Sequence, residues 1–447
     1  MRSVVSSAPL PGLLPGPLFS DRIALLGTEN AFKIGPWIAA LEADGHHVVR
    51  CNLGEPDFPL PGHVREEVKR ALDADLTHYV DPQGILPLRE AIARDLGARR
   101  GLEITADRVV VFPGAKPPIG FCQEVYTNPG DEVVYPSPGF PIYESFATYL
   151  GCRPVPLHLE EEQGFTVTGA ALERLLSGRT KLVFLNFPGN PTGGVATAAQ
   201  LEELADVLAR RLPPNARVYS DEVYEAIVFD GRLHRSIASF PGMAERTIIV
   251  GGVSKSFAWT GGRIGWAAFP TGEEAAVFKN LAINYYSCVP AYNQWGAKLA
   301  LEAPESRGEI ARMVAAFQER RDVVVPALNA IPGVRCQNPG GAFYVFPNVA
   351  GLCASLGVLE AHAALPPAVR DATSPSTLLA RFLLFRHHVA TLDRRSFGRI
   401  GADGRHFLRL SIATALDELR VAVDRLARAG QDRDGFRAFV REGRFLT

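Results

Sequence analysis

Between residues 108 and 255 the chain repeats one pattern, a short apolar run followed by a longer stretch of helical periodicity. The runs are RVVVF (108–112), DEVVYP (131–136), RPVPLHL (153–159), KLVFLNFP (181–188), RVYSDEVY (217–224) and TIIVGGVSK (247–255). Each is strand-sized, and the connecting stretches, such as Ala198 to Arg211, have the 3.6-residue period of helices. Apolar strands joined by helices pair in parallel with both faces covered, so the expected class is α/β with a mainly parallel sheet. Ligands of such sheets lie beyond the carboxyl ends of the strands. Chemistry is therefore expected from five loops: Pro113 to Lys116, Ser137 to Phe140, Asn186 to Gly193, Ser220 to Tyr224 and Gly251 to Lys255.

The flanks read differently. Residues 1–20 are Pro-rich and read as an irregular arm, suited to lying on a partner subunit. A helix from Asn30 to Asp44, a short strand in HHVVRCNL, a helix from His63 to Ala74 and another from Leu86 follow. After Pro304 a long helix, Ser306 to Asn329, leads to strands around Val334 and in GGAFYVFPN. A helix near Ser374 to His387, a strand in HFLRLSIA and a last helix from Leu416 complete a smaller α+β unit. The expected division is 1–60 as arm and part of the small domain, 61–305 as the large domain and 306–447 as the small C-terminal domain. Residues 349–373 lack periodicity and read as a loop or insertion, and the charged tail after Gly430 shows no element. A net charge of -1 offers no basic field for nucleic acid. Prolines 9, 11, 15 and 17 break any signal-peptide core, and no run of about 18 apolar residues occurs, so no membrane span is expected. Six cysteines without CxxC spacing suit a reducing cytoplasm, with neither disulfides nor a metal site expected.

Within the loops, Lys255 stands out. The chain has seven lysines against forty arginines, and this one sits among Gly and Ser after an apolar strand. A lysine so placed can be desolvated enough to act as a free amine and form a Schiff base. Gly114, Ala115 and Lys116 precede a helix whose free N–H groups and dipole suit a phosphate. Asp221, at a strand end, can pair with a protonated ring nitrogen. Asn190 and Tyr224 can bond a phenolate oxygen, and Phe140 can stack on a ring. Each residue has an ordinary alternative as a solvated lysine, helix cap, turn asparagine or packed aromatic. Their convergence on strand ends favours a site.

These residues lie in a longer set of motifs. GEPDF (54–58), HYVDPQGILPLREAIA (78–93), PGAK (113–116), SPGFPIY (137–143), NFPGNPTGG (186–194), SDEVY (220–224), SKSFAWTGGRIG (254–265), GGAFYVFP (340–347) and FLRLSIA (407–413) occur in this order. Over roughly residues 30–425 the chain resembles the class I aminotransferases of fold type I, the aspartate aminotransferase family, which use pyridoxal 5'-phosphate. The resemblance implies a seven-stranded, mostly parallel sheet flanked by helices, plus a smaller α+β domain. It implies that Lys255 carries the cofactor as a Schiff base and shuttles protons, that Asp221 holds the ring nitrogen, and that Asn190 and Tyr224 hold the phenolate oxygen. Phosphate contacts fall to Gly114, Ala115, Lys116, Ser254 and Arg263, with Tyr79 reaching across the interface of a homodimer with shared sites. Arg409, with Gly54 and Asn190, is the implied site for the substrate α-carboxylate. The implied reaction is ping-pong transfer of an amino group between an amino acid and a 2-oxo acid in the cytoplasm.

Two departures touch the phosphate side: Gly252 stands where many relatives have serine, and Gly262 where many have tryptophan. Pro117 and Pro118 follow the GAK loop, and TLDRRS (391–396) replaces a commoner turn near the substrate mouth. Lys116 points to an aspartate-like substrate if it meets a distal carboxylate; its alternatives are phosphate and solvent. Lys33, Arg394 and Arg395 are further candidate cations, while Tyr285, Tyr286 and Tyr344 suit an aromatic or apolar side chain. A lyase using the same cofactor and a non-catalytic ligand-binding protein on the same fold remain alternative readings.

Overall fold

The computed structural model describes residues 19–27 and 29–443, so the expected N-terminal arm lies almost wholly outside the described residues. After β1 (Val49–Arg50) come the strands of the large sheet: β2 (Val109–Phe112), β3 (Glu132–Ser137), β4 (Arg153–His158), β5 (Thr180–Asn186), β6 (Arg217–Asp221), β7 (Thr247–Gly252) and β8 (Gly265–Ala268). Their order is β2-β8-β7-β6-β5-β3-β4, parallel throughout except that β8 runs antiparallel to both of its neighbours. The expected α/β sheet is therefore present.

The seventh strand was not read from periodicity. β8 is the four-residue segment Gly-Trp-Ala-Ala directly after a Gly-rich turn, too short and too small-residue-rich to register as an apolar run.

The apolar runs form strands because both faces of the sheet are covered. Every residue of β2 and β3 is buried. On one face Val110, Phe112, Val133 and Phe184 pack with Phe278. On the other, Val134, Val183 and Val218 meet Leu204 and Leu208. Those leucines come from the helix Ala198–Arg211, which starts at a capping box: Thr197 Oγ1 accepts from Gln200 N–H at 3.2 Å and Gln200 Oε1 accepts from Thr197 N–H at 2.9 Å.

The remaining strands are β9 (Tyr344–Val345), β10 (Val389–Ala390), β11 (Leu392–Asp393) and β12 (Leu408–Ser411). β12 sits between β11 and β9 in an antiparallel sheet, and β1 pairs with β10 in parallel. Ser411 N–H donates to the Cys51 carbonyl at 2.8 Å, lacing the segment after β1 to β12. Three helices, Glu305–Asn329, Pro375–His387 and Leu416–Ala429, close a second core around Phe317, Phe343, Phe382 and Leu426.

Three readings are corrected. Residues 349–373 are not a loop but three short helices, Ala350–Leu356, Val358–Ala363 and Pro367–Ala372, whose Leu352, Cys353, Leu356 and Val358 enter the second core. The charged tail contains a helix, Arg433–Glu442, that inserts Phe436 and Phe439 into that core. Val334 lies outside any strand, and its neighbour Arg335 makes only an isolated bridge to Asn348. All six cysteines are free. Among the described residues no helix is long and apolar enough to cross a membrane.

Candidate active site

A cavity of about 500 Å³ opens at the carboxyl ends of β5, β6 and β7, facing β12. Gly54, Ala115, Lys116, Phe140, Asn190, Asp221, Tyr224, Ser254, Lys255, Arg263 and Arg409 all line it. The structure thus brings together eleven residues singled out from sequence. Gly114 lies just beneath the wall. Tyr79 does not reach the cavity; it is 87 % exposed, in a shallow depression with Thr77, His78, Cys288 and Tyr292.

Lys255 follows β7, in the short helix Val253–Ser256. Its Nζ donates to the Gly54 carbonyl at 2.6 Å, across 201 residues of sequence. Burial pushes its pKa down to about 8, against an opposing pull from the carboxylates of Glu29 and Glu55. About a tenth of such a group is free amine at pH 7, enough for a nucleophile or base.

Asp221 ends β6 and is buried. Its Oδ2 accepts from Tyr143 Oη at 2.7 Å and its Oδ1 from Val223 N–H at 3.4 Å, both neutral donors. Burial raises its pKa to about 6, and the Tyr143 hydrogen bond limits the rise. Asn186 Nδ2 holds the Asp221 carbonyl at 3.0 Å while Asn186 Oδ1 accepts from Asn190 N–H at 3.0 Å, fixing two cavity residues with one amide. Behind them Glu222 accepts from Ser220 and Ser236 Oγ at 2.6 Å each, from His234 and from Arg100. Burial would raise the Glu222 pKa, but Arg100 and then His234 outweigh it and hold the carboxyl well below the usual range. Glu222, Glu225 and His234 lie close enough to share a metal ion, yet both carboxylates are engaged by the Arg100 guanidinium.

Arg409, on β12, is 3 % exposed. Its Nη1 donates to Asn190 Oδ1 at 3.1 Å and its Nη2 to the Asn52 carbonyl, and its Nε has no partner. The guanidinium lies 4.6 Å from the Tyr344 ring centroid and 5.0 Å from that of Phe397. Tyr344 and Tyr224 share a hydrogen bond of 2.8 Å between their hydroxyls. A buried cation held only by neutral acceptors and aromatic faces is suited to a carboxylate arriving from outside.

Arg263 and the loop before the helix Pro117–Tyr126 form another part of the lining. Arg263 donates from Nη1 to the Thr260 carbonyl at 2.7 Å and from Nη2 to that of Pro113 at 3.2 Å, which draws the guanidinium onto Gly114. Gly114 has φ +91°, and a Cβ there would stand 2.0 Å from Arg263 Nη2, so only glycine admits both this turn and this approach. The helix Pro117–Tyr126 begins next, but its first two residues are prolines without an N–H and Ile119 N–H donates to the Lys116 carbonyl at 3.0 Å, so this helix offers the positive end of its dipole rather than free N–H groups. The departures at positions 252 and 262 have steric causes. A Cβ at Gly262 would stand 2.2 Å from the Trp259 ring, so this indole fills the space a side chain would take. At Gly252 a Cβ would press within 3.0 Å of the Ile264 carbonyl.

The donor set fits pyridoxal phosphate. The buried Asp221 carboxylate has no salt-bridge partner among the described residues, the lysine has a lowered pKa, and the glycine-and-arginine turn can take a dianion. Sequence reasoning overlooked Tyr143 and Asn186, although both stand inside motifs it quoted, and missed Glu29 and Thr260 on the rim. Of the other candidate cations, Arg394 is turned inward to Ser137 Oγ and the Gly398 carbonyl, and Arg395 to the Thr373 and Asp371 carbonyls. Neither they nor Lys33, Tyr285 or Tyr286 line the cavity, whereas Tyr344 does.

Comparison with known proteins gives a consistent picture. A family profile described as "Aminotransferase class I and II" matches residues 46–426. An aspartate aminotransferase of Rhizobium meliloti (strain 1021) is 34% identical over 413 residues, covering 92% of this chain and 95% of the relative. An aromatic-amino-acid aminotransferase of Thermococcus litoralis is 32% identical over 410 residues, covering 91% and 97%. The crystal structure of the Rhizobium meliloti aspartate aminotransferase superposes with a TM-score of 0.82 at 32% identity, covering 93% of this chain and 99% of that one.

Proposed function

Since the chain belongs to the class I and II aminotransferase family and is a transaminase, we propose that it binds pyridoxal 5'-phosphate in the cavity above and moves amino groups between acidic, aspartate-like amino acids and 2-oxo acids. The observation that carries this reading is a pair of buried charged groups, Asp221 and Arg409, in the cavity that Lys255 also lines. Among the described residues neither Asp221 nor Arg409 is in a salt bridge, and the hydrogen-bond partners of each are neutral groups. A cofactor with a protonated ring and a substrate with an α-carboxylate satisfy both.

When bound, pyridoxal phosphate supplies an aldehyde that joins an amine and a protonated ring that withdraws electrons from the substrate α-carbon. The protein's part follows from the geometry. Asp221 keeps the ring nitrogen protonated by remaining ionised beside it, with Tyr143 fixing the carboxylate. Asn190 and Tyr224 supply donors for the phenolate oxygen. Gly114 by its turn, Ala115 and Lys116 by their loop backbone, and Ser254 and Arg263 would form the phosphate cradle, which leaves the Lys116 ammonium to its pair with Glu29, and Phe140 offers a face to the ring. Arg409 takes the α-carboxylate in a bidentate pair, with Gly54 and Asn190 beside it, and so presents the α-hydrogen to Lys255. Lys255, as a free amine beside the substrate α-carbon, would take that proton as base and give it back as acid. The second half-reaction uses the same groups in reverse with a different oxo acid.

Lys116 lines the same cavity as Arg409 and would meet the distal carboxylate of an aspartate-like donor. Tyr79 projects 87 % exposed from the surface, which supports a homodimer in which it reaches the partner's phosphate site. We take residues 61–305 as the cofactor-binding domain, with 306–447 and 1–60 forming the smaller one and the N-terminal arm, and six free thiols as fitting a cytoplasmic enzyme. The test is a panel of amino donors against 2-oxoglutarate, oxaloacetate and pyruvate. Aspartate or glutamate is expected to lead, and Lys255→Ala to abolish transfer. Ammonia release without transfer would refute the reading.

A further inference from the structure

Glu29 stands just before the helix Asn30–Lys33, outside every motif discussed above, yet it lines the cavity and its Oε1 is hydrogen-bonded to Lys116 Nζ. We propose that Glu29 sets side-chain specificity by serving as an internal stand-in for the substrate's distal carboxylate. It holds Lys116 when the bound side chain is uncharged and yields it to an acidic one. The inference rests on the assignment of Lys116 to that end of the substrate.

Four observations carry it. The Glu29 side chain is 18% exposed against 46% for Lys116, so the acid is the more enclosed partner and an acidic ligand must contend with it. The Lys116 ammonium lies 5.7 Å from the ring centroids of both Phe32 and Phe140, so the cation retains aromatic support as it changes anions. Backbone and side chain at position 29 are decoupled. Phe32 N–H donates to the Glu29 carbonyl at 3.3 Å, Asn52 Nδ2 bonds the Ala31 carbonyl at 3.0 Å and Asn30 Nδ2 bonds Ser396 Oγ at 2.9 Å, so the segment is anchored by contacts that do not involve the Glu29 carboxylate. Finally, the pair neutralises the end of a cavity whose neighbouring walls are Leu53, Phe32 and Phe140. An aromatic or aliphatic side chain can lie there without covering a bare charge, which would otherwise be costly. One site thus accepts two side-chain chemistries without a second pocket.

The test uses the holoenzyme and ligands that lack an amino group and do not react. Succinate and 3-phenylpropionate are titrated calorimetrically into wild type, Glu29→Gln and Lys116→Met, and the ratio of their dissociation constants is compared. A partly exposed ion pair contributes enough to shift that ratio by about fivefold. Glu29→Gln is expected to shift it toward succinate by that factor, and Lys116→Met to shift it strongly toward 3-phenylpropionate. An unchanged ratio in Glu29→Gln, with Lys116→Met still losing succinate, overturns the role of Glu29 and leaves the acidic-substrate reading standing. Loss of neither preference in Lys116→Met overturns that reading and the inference with it.

Discussion

Replacing Asp221 by asparagine should stabilise the protein without cofactor while disabling the enzyme. In the folded chain the carboxyl pKa is raised from 3.8 to about 6, chiefly by burial. A group whose folded pKa exceeds its unfolded value contributes stability at low pH and loses it as pH rises through the folded pKa. Ionising Asp221 therefore costs the apoprotein about 1.4 kcal/mol per pH unit between 3.8 and about 6, or roughly 3 kcal/mol in all. Asparagine has the same shape and does not titrate. Urea unfolding of apo wild type and apo Asp221→Asn at pH 4 and pH 8 isolates this term, because other groups cancel in the difference. The advantage of the variant is expected to grow by about 2 kcal/mol over that range. With pyridoxal phosphate added the order reverses, since only the carboxylate gains an ion pair with the protonated ring. A difference constant from pH 4 to pH 8 would show that Asp221 is not held at a raised pKa, and the account of its strain would fail.

Other substitutions probe different parts of the molecule. Arg409→Lys keeps the charge but loses the planar fork, and kcat/KM for all amino donors is expected to fall roughly 10- to 100-fold in steady-state assays. Gly114→Ala places a Cβ 2.0 Å from Arg263 Nη2 on a backbone of φ +91°, so cofactor affinity measured by absorbance titration is expected to drop while Asp221 and Lys255 stay in place. Phe436→Ala empties a fully packed position of the second core, and denaturation should show a loss of about 3–5 kcal/mol with the cavity lining unchanged.

The large sheet was legible because six of its strands are apolar runs, five of them largely buried and the sixth, β4, at the sheet edge with Leu157 buried. β8 escaped because it is a four-residue, small-residue segment whose place is decided by pairing with β2 and β7. The helices between 350 and 372 are six or seven residues long, under two turns, so no 3.6-residue period can build up in them. The helix Arg433–Glu442 buries just two phenylalanines three residues apart, beneath a charged exterior that dominates its composition. In the site, strand-end position pointed to Lys255, Asp221 and Asn190, and motif resemblance to Arg409. Tyr143 carries no local sign of its role, because its partner Asp221 lies 78 residues away. Glu29 and Lys116 are separated by 87 residues, and no spacing rule links them.

The hydrogen bond from Arg409 to the Asn52 carbonyl joins residues 357 positions apart. At translation rates of about 5–20 residues per second, some 20–70 s separate the synthesis of Asn52 from that of Arg409. In the later part of that interval, once Ala268 has been made, the nascent chain holds all seven strands of the large sheet and Lys255, yet it lacks the Arg409 guanidinium. A polypeptide released early is thus expected to retain cofactor chemistry with free amines while lacking selectivity for amino acids, and the last strand to emerge, β12, converts a reactive fold into a discriminating one.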